Sequence, residues 1–174
     1  KTYRIRLVWT KADAEASEPK YNVLDFNADP TGATSSDAAV NAAITACDGN
    51  GILYFPKGTY EVDTIAMASG AELELEGEGR DLVTLKHKSS STAAMFSSAS
   101  GTIVARLSFR RITFDGNAAG QSNRQRSVIY GDFTRLLFDD CASISSVKAL
   151  ARTHNNRGLV QATDCDFSGA VLHD

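Results

Sequence analysis

The chain is poor in the residues that build many small-protein frameworks. Its 174 residues include three cysteines, Cys47, Cys141 and Cys165. An odd number without metal-ligand spacing encodes neither a disulfide framework nor a zinc site. No apolar run approaches the ~18 residues needed to span a bilayer, so membrane insertion is not expected. A basic excess is also missing: 18 Lys and Arg stand against 21 Asp and Glu, for a net charge of -3. General nucleic-acid binders carry the opposite balance, so no nucleic-acid partner is expected. No charged-then-apolar leader opens the sequence. What is present is ordinary for one folded core with an appendage, 43% hydrophobic and 22% charged residues.

The stretch from Val23 to Tyr60, VLDFNADPTGATSSDAAVNAAITACDGNGILYFPKGTY, organises the rest. Val23, Leu24 and Phe26 read as a strand ended by Asp29-Pro30-Thr31-Gly32, where proline fixes φ and glycine accepts φ > 0. Ser35 or Ser36 can accept hydrogen bonds from the first free N–H groups of a helix starting near Asp37, whose charge suits that end. Across Asp37 to Asp48, Val40, Ile44 and Cys47 share one face while alanines keep the remainder slim. Such a helix lies flat on an apolar surface. Gly49-Asn50-Gly51 stops it, and Ile52-Leu53-Tyr54-Phe55 is a further strand closed by Pro56-Lys57-Gly58-Thr59.

This order, V-x-D-F-x-A-D-P-T-G, a capped Ala-rich helix, then G-x-G-I-x-Y-F-P-x-G-T-Y, resembles the opening of the pectate-lyase-like right-handed parallel β-helix proteins, found in phage tailspikes and in polysaccharide lyases and hydrolases. The likeness covers Tyr21 to about Lys88. Two positions depart: Asn27 stands where the family usually has Gly, and Ser35 where it often has Asp. Asn tolerates φ > 0 better than other non-Gly residues. The resemblance implies an all-β right-handed parallel β-helix, with the short helix covering strand edges that the first coil would otherwise expose. Residues 1–20 are then an N-terminal strand and linker, with Tyr3, Ile5, Leu7 and Trp9 alternating on one face, and by resemblance to tailspikes a docking element. Residues 21–174 are the first coils of the β-helix. Both ends read as cuts, since the chain opens on Lys1 and stops at Asp174 without the terminal cap a solenoid needs.

After Tyr60 a repeat of apolar-x-apolar-x-small is visible. Leu73-x-Leu75-x-Gly77, Ile112-x-Phe114-x-Gly116, Cys141-x-Ser143-x-Ser145 and Cys165-x-Phe167-x-Gly169 follow at steps of 39, 29 and 24 residues. Variable steps suit coils whose insertions sit in turns. This alignment predicts an inward stack of Leu75, Phe114 and Phe167, with Cys141 and Cys165 as small buried hydrophobes beside it. Leu82 to Leu85, Ala94 to Phe96, Val128 to Tyr130 and Val147 to Leu150 are candidate strands of the other sheets.

Neighbours of an inward residue point outward, so Arg111, Asp140 and Asp164 form one external row. Asp140 and Asp164, one coil apart at ~5 Å, are the candidate catalytic carboxylates, able to share a proton or bind a hard cation such as Ca²⁺. A solvated charge ladder is the blander reading. No resident metal or cofactor is called for. Asp139-Asp140 resembles the paired aspartates of polygalacturonase-like hydrolases only superficially, because the accompanying Gly-His-Gly and Arg-x-Lys motifs are absent from this stretch. Residues 106–126 hold Arg106, Arg110, Arg111, Arg124 and Arg126 against one acid, Asp115. Guanidinium groups take carboxylates or phosphates bidentately, which makes Arg110, Arg111, Arg124 and Arg126 candidate carbohydrate-binding residues. Tyr130 joins them as an aromatic for sugar stacking, and Phe133 is the other one nearby.

The resemblance carries three functional readings. The first is a virion spike, homotrimeric, attached to other virion proteins through its N-terminus, that recognises and in some cases cleaves bacterial surface polysaccharide. The second is a free extracellular polysaccharide lyase or glycoside hydrolase. The third is a non-catalytic spacer of a spike. The preceding strand and linker favour the first, and a catalytic site beyond Asp174 is compatible with all of them.

Overall fold

Short alternating segments, broken again and again by residues that accept a left-handed backbone, wind this chain into three parallel sheets. The structure, a computed structural model, describes residues 19–173 apart from 90, 118, 120–126, 146–148, 154–157 and 168–170. The expected strand from Tyr3 to Trp9 lies outside the described residues, as do Arg124, Arg126 and His154.

The first sheet is made of β1 (Lys20–Asn22), β2 (Asn50–Phe55), β5 (Glu72–Gly77), β8 (Ile103–Arg110), the second half of β10 (Ser127–Asp139) and β13 (Leu159–Thr163). The second contains β3 (Gly58–Val62), β6 (Val83–His87), β9 (Thr113–Asp115) and β11 (Ala142–Ile144). The third contains β4 (Ile65–Ala66), β7 (Phe96–Ser97), the first half of β10, β12 (Ala149–Thr153) and β14 (Val171–His173). These pairings are parallel, and the chain visits the sheets in turn, which makes a right-handed parallel β-helix. β10 crosses from the third sheet to the first at Gly131, where a Cβ would run into the Ser98 backbone and side chain.

Inward positions stack coil on coil. Leu53, Leu75, Phe109 and Phe138 are in register along the first sheet and at most 2% exposed. Tyr60, Leu85 and Phe114 do the same along the second. The Phe109 ring meets Phe96, Phe114 and Phe138 at centroid distances of 5.2, 5.0 and 5.6 Å. Each fully buried ring contributes about 1.5–3 kcal/mol by area alone. Phe167 is half-buried and packs on Phe138 at 5.4 Å, and Cys141 is fully buried beside this stack.

The helix forms where expected, as α1 (Asp37–Ala46), and packs on β1, β2 and β4. Its buried residues are Ala39, Val40 and Ala43, followed by Cys47, while Ile44 sits at the margin. The alanines, expected only to keep the helix slim, thus form part of its inward face. The Ser36 hydroxyl does not cap α1; Asp37 N donates to Ser35 Oγ at 3.3 Å instead. Asp37 Oδ1 also accepts from Asp63 N at 2.9 Å, which ties the helix to the turn after β3.

Three local expectations are corrected. Val23 to Phe26 is a 3-10 turn rather than a strand, because Asn22 Oδ1 accepts from Leu24 N at 3.0 Å and Asn27, at φ 67°, closes the turn. The strand is displaced to Lys20–Asn22. Leu73 and Leu75 do not share a column with Ile112 and Phe114; they pair with Leu107 and Phe109, and the coil partner of Phe114 is Leu85. The steps of 29 and 24 residues stand, since Thr113 pairs with Ala142 and Ala142 bridges to Asp166. Phe133 is 2% exposed, a core residue unavailable to a sugar. No helix among the described residues is long and apolar enough to cross a membrane.

Candidate functional site at the corner of the first and second sheets

Alternation puts one set of side chains from β5, β8 and β10 into the core and the other set on the outer face of the first sheet. Glu72, Glu74 and Glu76 from β5 lie beside Arg106, Ser108 and Arg110 from β8. Arg106 and Arg110 in turn lie beside Arg135 and Asp139 from β10. Acids therefore face bases across neighbouring strands, the arrangement that stabilises a sheet surface. Arg110 Nη2 is 3.2 Å from Glu74 Oε1 and 3.2 Å from Glu76 Oε2.

The strands end together and the chain turns toward the second sheet at Arg111, Asp140 and Asp164, with φ of 57°, 49° and 53°. These three residues, expected as an outward row along a strand, form that row at a left-handed corner. Asp tolerates this conformation well; an arginine there is uncommon. Arg111 N donates to the Asp139 carbonyl at 2.9 Å, and Asp140 N to the Thr163 carbonyl at 3.0 Å, so each corner is fixed by the coil after it. In the coil before, the corner belongs to Gly77, where a Cβ would collide with the Arg111 carbonyl oxygen.

Glu76 is the centre of the corner. It is 1% exposed, and its carboxylate is ringed by Lys20 Nζ at 2.8 Å, by Arg110 and by Arg111. Burial alone would raise its pKa; Lys20 and Arg110 outweigh that effect and hold it below the ordinary glutamate range. Glu76 is therefore an anion at neutral pH that anchors three cations, unsuited to giving or taking a proton there. Asp140 is held by Arg80, whose Nη1 lies 3.2 Å from Asp140 Oδ1 and 3.2 Å from the Asp164 carbonyl oxygen. Arg80 thus supplies the positive charge that a cation would bring to Asp140. Among the described residues no group of three or more His, Cys, Asp or Glu is arranged for a metal ion. Asp139 stands outward between Arg110 and Thr163 with no ion pair among the described residues. Lys20, Glu76, Arg110, Arg111, Asp139 and Asp140 line an open recess of about 440 Å³.

The structure therefore brings Arg110, Arg111 and Asp140 together, with Asp164 at the next corner. Tyr130 is elsewhere, on the third sheet, with the Arg152 guanidinium 5.8 Å above its ring. Sequence reasoning missed Lys20, Glu76 and Arg80 as partners of this corner. A signal existed in Glu72-Leu73-Glu74-Leu75-Glu76, whose strict alternation presents three acids on one face.

What can this arrangement do? It offers a recess with a carboxylate that has no ion pair among the described residues and several fixed guanidinium groups, suited to holding a polar, charged ligand and to proton transfer. The fold and this outer-face site define a right-handed parallel β-helix of the pectate-lyase-like class. The chain belongs to the rhamnogalacturonase A/epimerase, pectate lyase-like family, whose model matches residues 20–157. A probable rhamnogalacturonase B of Aspergillus terreus is 29% identical over 95% of this chain and 35% of its own length. The chain spans 18–35% of the length of the first curated relatives it matches. Among solved structures, the A-module of a mannuronan C-5 epimerase of Azotobacter vinelandii superposes with a TM-score of 0.64 at 20% identity, covering 83% of this chain and 43% of that one. A protein of Geobacillus virus E2 superposes with a TM-score of 0.55 at 20% identity, covering 76% of this chain and 27% of its own.

Proposed function

We propose that this protein binds and acts on polysaccharide along the outer face of its first sheet, with Arg110 and Arg111 gripping the sugar chain and Asp139 and Asp140 as the acid and base. One observation carries this reading: among the described residues Asp139 stands free of ion pairs while the charges around it are anchored, Glu76 by Lys20, Arg110 and Arg111, and Asp140 by Arg80. A carboxylate so placed is available for proton transfer. The family supports the substrate class, since the curated relatives are named as rhamnogalacturonases. Asp164, at the next corner, extends the row along which a chain would lie.

The setting we propose is a trimeric virion spike acting on bacterial surface polysaccharide, joined to other virion proteins by its N-terminus. The shared fold of the Geobacillus virus E2 protein supports that setting; the rhamnogalacturonase relatives support the second reading, a free extracellular enzyme. The test is incubation of the intact protein and its Asp139→Asn and Asp140→Asn variants with acidic polysaccharides. Chain length and the ultraviolet absorbance of unsaturated sugar ends are followed together. Shortening with absorbance indicates a lyase, and shortening without it a hydrolase. Wild-type cleavage that both variants retain in full would contradict the assignment, as would failure of the wild type to bind any polysaccharide. Sedimentation of the intact protein as a trimer supports the spike, and a monomer contradicts it.

A further inference from the structure

At the far end of the same sheet face two arginines oppose each other. Arg106 on β8 and Arg135 on β10 are directly in register, and Glu72 on β5 is in register with Arg106. Neighbouring strands lie ~4.8 Å apart, and like charges directly opposite destabilise a sheet. Among the described residues one anion, Glu72, answers the two cations. Glu72 Oε2 lies 3.8 Å from Arg106 Nε, an ion-pair distance too long for a hydrogen bond. The Arg106 Nε–H is buried and has no acceptor among the described residues. Arg135 is exposed and forms no ion pair or hydrogen bond among the described residues. Between them is a second open recess of about 410 Å³, lined by Glu72, Ala105, Arg106, Thr134 and Arg135.

We infer that this recess is an anion subsite, in which the Arg106 and Arg135 guanidinium groups and the Thr134 hydroxyl receive an oxyanion, such as the carboxylate or sulfate group of a charged sugar. The ligand supplies the negative charge that the two arginines lack. Arg106 and Arg110 are four residues apart on β8, as are Arg135 and Asp139 on β10. At 3.3 Å per residue the subsite lies about 13 Å from the corner recess. Bridging the two takes an oligosaccharide rather than a single sugar. Resting on the polysaccharide reading above, the inference narrows the substrate to chains that bear negative charge at a distance from the reacting linkage.

Two measurements on the intact protein test it. In the first, sodium sulfate is titrated against sodium chloride at matched ionic strength, with arginine Nε–H resonances as the readout. The Arg106 signal should shift saturably in wild type and lose that response in Arg135→Gln, which keeps most of the side chain's length without its charge. In the second, affinity electrophoresis compares polygalacturonate with its carboxyl-reduced, neutral form. Wild type should prefer the charged polymer by roughly tenfold or more, and Arg135→Gln should bind the two alike. No saturable sulfate shift, together with equal wild-type retention in both polymers, overturns the anion subsite and leaves polysaccharide binding standing. A sulfate shift that Arg135→Gln retains also overturns it. A sulfate shift lost in Arg135→Gln, with retention in neither polymer, overturns the polysaccharide reading and keeps the subsite as one for a free anion.

Discussion

Replacing Glu76 by Gln removes the one negative charge shared by Lys20, Arg110 and Arg111. Deleting one member of a buried ion pair typically costs about 3–5 kcal/mol, because the remaining charge is left uncompensated. Here the Glu76 side chain is 2% exposed, but Lys20, Arg110 and Arg111 are 44%, 21% and 39% exposed and can turn toward water. The expected loss is therefore about 2–3 kcal/mol at neutral pH. Its pH dependence identifies its origin. A carboxyl whose folded pKa lies below its unfolded one stabilises the protein fully above the unfolded value and loses that contribution as pH falls through the folded value. For Glu76 the unfolded value is near 4.5 and the folded value is lower. Urea unfolding of wild type and Glu76→Gln should show the full gap at neutral pH and a narrowing gap below about pH 4.5. A gap that stays constant with pH, or a variant as stable as wild type at neutral pH, would refute the picture of Glu76 as an ion-paired anchor.

Three further outcomes are expected. Phe109→Ala, which empties a site between Phe96, Phe114 and Phe138, should lower unfolding free energy by about 3–5 kcal/mol; a loss under 1 kcal/mol in a denaturant titration would mean that the coils are not packed as described. Burial pushes the Cys141 thiol up to about 12, so a thiol reagent at mildly alkaline pH should label Cys141 only on unfolding, as peptide mapping would show; labelling in the native state would place it outside the core. Burial also holds His87 below its ordinary 6.5, outweighing the attraction of Asp63. The neutral ring is the folded form, so stability should fall as pH drops below about 6.5, and His87→Gln should remove that part of the pH profile; an unchanged profile would contradict it.

Much of the fold was legible because Val23 to Tyr60 combines a Pro-Thr-Gly turn, a capped Ala-rich helix and a strand ending in Pro-Lys-Gly-Thr, each a local signal with its own stereochemical cause. The strand expected at Val23 gives way to a 3-10 turn, which Asn22 and Asn27 close through hydrogen bonds that no hydrophobic period reveals. At the site, Arg110, Arg111 and Asp140 could be placed on the outside from alternation alone. Their partners could not. Which acid faces Arg110 depends on the 34 residues separating Leu75 from its register partner Phe109, and that step includes the turns on either side of β7. With Leu73 aligned to Ile112 instead of Leu107, Glu76 is moved away from the arginines that hold it. Lys20 was hidden for another reason: it opens the first strand, at a position where composition suggests a linker.

The most direct test of the central claim is a crystal structure of the intact protein soaked with an oligogalacturonate several sugars long. Sugar density is expected across the outer face of the first sheet, meeting Arg110, Arg111 and Asp139. Density over Tyr130 and Arg152 on the third sheet, with the first sheet bare, would contradict it.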